Sequence, residues 1–342
     1  MISDGVRARI AAFDPERIER IHDEGIGLTA YLVLDSLALG PAAGGVRTMA
    51  YADEADAALD ACRLARAMTY KCALGGLDAG GGKIVVIDRP GLDRSAAFAA
   101  LGRRVDALRG DFRTAGDLGT TDLDLAAMAA QTRYVHTDTR NLAGAVGRGV
   151  LRCAEACADV AGRPGLSGIC AAVQGCGDIG AAVAEAFVRA GVGVRVADVD
   201  EGRARALAAR LGVEVVSVSD VLYEDVDLLA PCALGAVISA ETATRIRAWA
   251  VCGGANNICT DDAAHEALHR REILFVPDLI SSAGAVVEGI GRTVMGLEDR
   301  RDLIDALRHT ACLVLEDARA DGRPPIVHAI RRAEVRIRDS AP

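Results

Sequence analysis

The apolar run Ile169-Cys170-Ala171-Ala172-Val173-Gln174 passes straight into Gly175-Cys176-Gly177-Asp178-Ile179-Gly180. A helical pattern follows from Ala181 to Ala190, and a second apolar run, Val194 to Ala197, ends in Asp198. A lone Gly-x-Gly-x-x-Gly is weak, because an ordinary strand-to-helix turn accounts for its glycines. Such a turn does not account for a carboxylate about twenty positions on, at the end of the next strand, which completes the dinucleotide-binding arrangement of a Rossmann-type unit. The helix start offers backbone N–H donors and a positive dipole end to a pyrophosphate. Asp198 is suited to accept hydrogen bonds from ribose hydroxyls and to repel a 2′-phosphate. The expected cofactor is therefore NAD, held by Gly175, Cys176, Gly177, Asp178, Ile179, Gly180 and Asp198.

Strands are expected next near Val213 to Ser217, Asp227 to Ala230, Ala250 to Cys252 and Ile273 to Val276, with helices between them. The fold class is α/β, with a doubly wound parallel sheet. Pro231-Cys232-Ala233 and Gly254-Ala255-Asn256-Asn257 follow strands at their carboxyl ends, where open α/β sheets bind ligands. A chain of 342 residues is long enough for two domains with separate cores. The pattern thins over residues 136–149, at Asn141, Gly144, Gly147 and Gly149, and the domain junction is placed there. Residues 1–140 then form an N-terminal α/β substrate domain and 141–297 the NAD-binding domain. Closing helices near 298–320 and 324–338 brace back onto the first, their alternating charges reading as a solvated face.

In the first domain a helix is expected over residues 1–23, from Ile10, Ile18 and Ile21, followed by a strand at Leu28 to Leu34. A helix opens at Asp53-Glu54, presents Ala61, Leu64, Ala65 and Met68 at helical spacing, and ends by supplying Lys71. A glycine-rich loop, Gly75-Gly76-Leu77-Asp78-Ala79-Gly80-Gly81-Gly82, then delivers Lys83 onto the apolar run Ile84-Val85-Val86-Ile87. This is not a phosphate loop. That motif needs a hydroxyl residue after its lysine and runs from strand to helix, whereas Ile84 follows Lys83 and the order is helix, loop, strand. Two lysines at one hollow suit different tasks. One pairs permanently with a carboxylate, while burial and the neighbouring charge lower the other toward neutrality, where it serves as a base. The bland alternative is a pair of solvated surface lysines. A helix is expected over 94–108, a short strand from Phe112 to Ala115, and a helix capped by Thr121 or Asp122. Asp117, at the end of that strand beside Gly116, fits either a functional carboxylate or a turn residue.

Composition narrows the function classes. Lysines and arginines number 39 against 48 aspartates and glutamates, a net charge of −9 with no basic stripe, which argues against a nucleic-acid partner. No apolar run reaches membrane-spanning length, and the mixed charges at Asp4, Arg7, Arg9 and Asp14 are unlike a secretory signal, so a cytoplasmic protein is expected. The 10 cysteines are scattered without a Cys-x-x-Cys pair and read as small buried apolar residues in a reducing compartment. His265-Glu266-Ala267-Leu268-His269 matches the His-Glu-x-x-His zinc pattern. It falls between two strands of the cofactor domain beside Arg270 and Arg271, where a polar helix face is the better reading, and no metal is expected.

The stretch Met68 to Lys83 is joined by Gly40-Pro41-Ala42-Ala43-Gly44-Gly45-Val46-Arg47, Gly116-Asp117-Leu118-Gly119-Thr120-Thr121, Pro231-Cys232-Ala233 and Gly254-Ala255-Asn256-Asn257. Together, and over nearly the whole chain, these motifs resemble the amino-acid dehydrogenase superfamily of glutamate, leucine, phenylalanine and valine dehydrogenases, most closely its bacterial phenylalanine, leucine and valine branch. The resemblance implies reversible, NAD-dependent oxidative deamination of an L-α-amino acid to its 2-oxo acid and ammonia, by a homo-oligomer. It implies that Lys71 holds the substrate carboxylate, Lys83 is the general base that activates water against the imine, and Asp117 exchanges protons with the amine nitrogen. Gly45 and Asn257 are further implied substrate contacts. Arg47, Cys232, Ala233, Ala255 and Asn256 are implied on the cofactor side. The side-chain pocket would be bounded by Ala43, Ala115 with Gly116, and Val286-Val287-Glu288-Gly289. Small residues there imply room for a large apolar or aromatic side chain, and no lysine is evident to pair with a second carboxylate, which disfavours glutamate. Glu288 is expected to face solvent or, failing that, the end of a long substrate. The chain departs from the family pattern in a shortened segment after Tyr134-Val135, in Val146 where a threonine is usual, and in Ser282 where an asparagine is usual. A catalytically silent NAD-binding or regulatory relative is the second reading.

Overall fold

The computed structural model describes residues 2–138 and 140–340. Its first α/β unit is a five-stranded mixed sheet of β1 (Arg17–Asp23), β2 (Leu28–Leu34), β3 (Ala42–Met49), β4 (Gly80–Ile87) and β5 (Phe112–Gly116), in the order β1-β2-β4-β3-β5. β1 and β4 run antiparallel to β2, while β3 lies parallel to both β4 and β5. Every residue of β2 is buried because the sheet is covered on both sides. Leu28, Ala30 and Leu32 face α3 (Arg94–Ala107) and α4 (Asp122–Ala129), packing with Phe98, Leu101 and Met128. Tyr31 and Val33 face α1 (Asp4–Arg9) and α2 (Glu54–Leu74), packing with Val6, Ala58 and Ala61.

Two expectations for this unit are corrected. Residues 1–23 are not one helix: α1 stops at Arg9, and Arg17–Asp23 is an edge strand paired only with β2. None of its residues is fully buried, and Arg20 reaches Glu54 on α2, with Nε to Oε2 at 2.7 Å. The glycine-rich stretch before Lys83 is a loop only from Gly75 to Ala79. Gly80, Gly81 and Gly82 are the buried first half of β4, and their lack of a side chain is a packing requirement. A Cβ on Gly81 would lie 2.2 Å from the Ala65 carbonyl oxygen and 2.2 Å from the Thr69 nitrogen, both backbone atoms of α2. The helix thus rests directly on the strand. That contact brings Lys71, in the last turn of α2, and Lys83, on β4, to one hollow.

The second unit is a wholly parallel six-stranded sheet of β6 (Cys170–Gln174), β7 (Gly193–Ala197), β8 (Glu214–Val215), β9 (Leu228–Pro231), β10 (Ala250–Val251) and β11 (Leu274–Phe275). The order is β11-β10-β9-β6-β7-β8, with parallel pairing throughout. The strand order reverses between β6 and β9, the topological switch point of a doubly wound fold. Helices α5 (Leu142–Val160), α6 (Asp178–Arg189), α7 (Glu201–Leu211), α8 (Ala240–Arg245) and α9 (Asp262–Arg270) accompany the strands. α6 begins inside the glycine motif, earlier than the Ala181 expected.

After α10 (Asp278–Ser281) and α11 (Gly284–Thr293), α12 (Arg301–Asp321) packs on α5 and α13 (Pro325–Asp339) on α2. The charges of these last helices are not only a solvated face. Asp305 accepts from Arg148 and Arg152 of α5, with Arg148 Nε at 2.6 Å, and Arg336 of α13 donates to the Ala73 carbonyl at 2.7 Å, capping α2 just past Lys71. Among the described residues no helix is long and apolar enough to cross a membrane.

Candidate active site

The hollow between the two units has a volume of about 370 Å³. On its first wall Lys83 projects from β4, and its ammonium donates to the carboxylate of Asp117, which follows the last residue of β5. Arg47 on β3 completes the group. Its Nε donates to Asp117 Oδ2 at 3.2 Å and its Nη1 to Asp60 Oδ2 of α2 at 3.2 Å, while the Tyr51 hydroxyl holds Asp60 at 2.7 Å. Burial pushes the Lys83 pKa down, opposed by Asp117 and assisted by Arg47. Burial pushes Asp117 up, but Lys83 and Arg47 outweigh it and hold the carboxyl below its usual range. The pair is therefore an ammonium that gives up its proton more readily than a free lysine, beside an ionised carboxylate.

Lys71 enters from the end of α2 and is buried. Its Nζ donates to Ser282 Oγ at 2.8 Å and to the side-chain oxygen of Asn256. No carboxylate lies within ion-pair distance of it among the described residues. Burial lowers its pKa, Asp278 opposes the shift, and Lys83 adds to it. A carboxylate brought to this ammonium would supply the charge partner that burial makes valuable. The backbone N–H of Asn257, whose φ of 51° is left-handed, donates to Asp278 at 2.9 Å. Ala43, Gly45, Ala115, Val286 and Gly289 line the apolar part of the hollow.

Across the cleft the glycine motif divides its work. Gly175 takes a φ of +96° at the turn, and a Cβ there would sit 2.8 Å from Ala233. A Cβ on Gly180 would lie 1.8 Å from the Gly175 carbonyl, so the helix packs against the turn. A Cβ on Gly177 would meet nothing within 4 Å. That open space lies at the N-cap of α6, which has no side-chain cap, leaving the N–H donors of the first turn available to an anion. Asp198 accepts from the N–H of Cys176 at 2.7 Å and of Asp200 at 2.8 Å. Burial pushes its pKa up, yet those donors and Arg203 hold it down as a carboxylate. These residues fit a dinucleotide: a phosphate at Gly177 and the helix start, and ribose hydroxyls at the lone pairs Asp198 keeps free.

The family pattern of the Glu/Leu/Phe/Val dehydrogenase dimerisation domain matches residues 16–134, and that of glutamate/leucine/phenylalanine/valine dehydrogenase matches residues 195–290. Leucine dehydrogenase from Thermoactinomyces intermedius is 35% identical over 95% of this chain and 91% of its own length. The chain belongs to the Glu/Leu/Phe/Val dehydrogenase family. Valine dehydrogenase from Streptomyces coelicolor is 34% identical over 96% of this chain and 93% of its own. The crystal structure of L-tryptophan dehydrogenase from Nostoc punctiforme superposes with a TM-score of 0.86 at 30% identity, covering 97% of this chain and 98% of that one.

Against this family frame the geometry differs from the sequence expectation at several residues. Glu288 is neither solvent-facing nor in the hollow. It is buried against Arg300, whose Nε lies 3.2 Å from Oε2, and it lines a separate cavity with Arg148 and Arg189. Arg47, expected on the cofactor side, is bound into Asp117 and Asp60. Asn256, also expected there, instead meets Lys71, while Asn257 lines the hollow. Cys232 and Ala233 lie against the Gly175 turn, on the cofactor side where they were expected, with Cys232 Sγ accepting from the Gly254 N–H at 3.4 Å, and the Ala255 N–H donates to the Pro231 carbonyl at 3.0 Å. Ser282 holds the Lys71 ammonium, and Val146 packs at the rim beside Gly254. His265 packs its ring on Phe275 at 5.2 Å between centroids, and among the described residues no cluster is placed to hold a metal. Sequence reasoning missed Arg113, His136 and Arg292, which also line the hollow. The available signal was strand alternation, since Arg113, Ala115 and Asp117 fall on every second position.

Proposed function

We propose that the protein catalyses the reversible, NAD-dependent oxidative deamination of an L-α-amino acid with a large apolar or aromatic side chain, giving the 2-oxo acid and ammonia. The observation that carries this reading is the convergence of Lys71, Lys83 and Asp117 in one hollow that faces the uncapped start of α6. Lys71 pairs with the substrate carboxylate. Lys83, lowered by burial, takes the proton of a water attacking the imine carbon, and Asp117 exchanges a proton with the amine nitrogen. NAD, when bound along Gly175 to Gly180 and Asp198, supplies the hydride acceptor. Closing the cleft excludes water and strengthens each charge interaction inside it.

Small residues at Ala43, Ala115 and Gly289 leave the volume for a large side chain, and each extra buried methylene is worth about 0.8 kcal/mol to an apolar ligand. We also propose the boundaries 1–140 and 141–297 for the substrate and cofactor domains. The family description of residues 16–134 as a dimerisation domain supports a homo-oligomer. Ten free cysteines, most of them buried, support a reducing, cytoplasmic setting. The test is an amino-acid panel with NAD, read as NADH absorbance. Leucine, phenylalanine or tryptophan is expected to exceed alanine and glutamate. Highest efficiency with alanine would refute the side-chain argument, and no NADH from any amino acid would favour a catalytically silent relative.

A further inference from the structure

The far end of the hollow is basic, and part of its polar surface has no partner. Along β5 the alternation places Arg113, Ala115 and Asp117 on one face, with Arg113 beside Ala43 in the strand register. Four residues of extended chain span about 13 Å, so Arg113 lies well beyond the Ala115 collar as seen from Asp117. The segment carrying His136 runs beside β5, its N–H donating to the Thr114 carbonyl at 2.8 Å. Arg292 comes from α11, one turn past Gly289. Arg113, His136, Asp138 and Arg292 all line this end.

The ion pairs in the hollow leave two cations over. Lys83 and Arg47 close on Asp117 and Asp60. Arg292 Nη1 lies 2.7 Å from Asp138, which also pairs with Arg140. Asp278 takes the Asn257 N–H. Lys71 and Arg113 remain without a carboxylate among the described residues. The Arg113 guanidinium is backed by the Tyr134 ring at 4.9 Å from its centroid. Its Nε and the Nε2 of His136 are buried without a hydrogen-bond partner among those residues. Buried polar atoms left unpaired cost free energy that a ligand group pairing with them removes. His136 is held neutral by burial, with Arg113 and Arg292 adding to the effect, so its ring retains one donor and one acceptor nitrogen.

We infer that Arg113, with His136 and Arg292 beside it, is a second anchoring point for the substrate. It takes the terminal carboxylate of a long side chain that is apolar along its length. Within the proposed class of large, otherwise apolar side chains, the favoured members are those that end in a carboxylate farther out than that of glutamate, because Arg113 sits two residues beyond Ala115 along β5. This rests on the proposed function, since Lys71 must hold the α-carboxylate for the side chain to run toward Arg113.

The test compares kcat/KM in pairs that differ in the terminal group: L-2-aminoadipate against L-norleucine, and 4-carboxy-L-phenylalanine against 4-methyl-L-phenylalanine. The wild-type enzyme is expected to favour the carboxylate member of at least the longer pair. Arg113→Met should lower the carboxylate-to-neutral ratio by about ten- to a hundredfold, mainly through KM, the size of one charge-assisted contact. Arg113→Lys, which keeps the charge, should retain part of the preference. A wild-type ratio below one in both pairs, or a ratio unchanged by Arg113→Met, would overturn the inference and leave the proposed function standing. Neutral substrates turned over with no carboxylate member accepted would do the same. Failure of every amino acid to yield NADH would remove the proposed function and this inference with it.

Discussion

Replacing Gly81 with alanine tests whether the glycine run before Lys83 exists to let a helix lie on a strand. The added methyl group would sit 2.2 Å from both the Ala65 oxygen and the Thr69 nitrogen, and 2.4 Å from Thr69 Oγ1. Two of those atoms are backbone, so no rotamer change relieves the clash. An ordinary carbon contact near 3.5 Å requires α2 to retreat by about 1 Å. Overpacking of this kind costs about 1–3 kcal/mol, which should appear as a lower thermal midpoint. The larger effect should be kinetic. Lys71 rides on α2 and Lys83 on β4, and a misplacement of about 1 Å costs on the order of a hundredfold in rate. The assay is steady-state deamination well below the unfolding midpoint, with NADH binding followed by fluorescence, since the second unit carries that site and should be unaffected. Wild-type kcat/KM with an unchanged midpoint would refute the reasoning. A lowered midpoint with full activity would confine the glycine's role to stability.

Asp198→Ala should narrow a preference for NAD over NADP measured as a ratio of kcat/KM. Equal use of the two by the wild-type enzyme would show that Arg203, 3.6 Å from Asp198, governs the site instead. Deamination should rise with pH and level off below the ordinary lysine value of 10.5, because the proposed mechanism needs Lys83 unprotonated and burial lowers its pKa. Asp117→Asn removes an opposing charge and should move any residual rising limb to lower pH; a limb displaced upward would contradict the pairing. Glu54, held by Arg20 and Tyr31, has its carboxyl lowered from 4.5 to about 2. A depressed folded-state pKa contributes stability that is present above the unfolded value and lost as pH falls from 4.5 toward 2. Glu54→Gln should therefore flatten the acid limb of the stability curve, and an unchanged limb would show that this half-buried pair contributes little.

The elements legible in the sequence are those whose signal is local. The Gly175 to Gly180 turn with Asp198 states both its geometry and its ligand chemistry in one stretch. The helix after Asp53 carries its own cap, since that carboxylate accepts from the Asp56 N–H. What was not legible depends on distant backbone. β3 reads Ala-Ala-Gly-Gly-Val-Arg-Thr-Met, poor strand material, because a Cβ on Gly44 would lie 1.7 Å from the Gly82 carbonyl oxygen of the neighbouring strand. The edge strand β1 shows Ile18 and Ile21 at a helix-like spacing, and its charges suit a half-exposed edge as well as a helix face. Burial of Glu288 is decided by Arg300, twelve residues on, and the basic end of the hollow is assembled from three separate segments. No single stretch of sequence displays either.

The central claim is that proton chemistry belongs to Lys83 while the cofactor is held by the other unit, and Lys83→Ala tests it most directly. With the best substrate of the panel, turnover should fall by about two to four powers of ten, and the fluorescence titration with NADH should give the wild-type dissociation constant. Near-normal turnover in this variant would contradict the account.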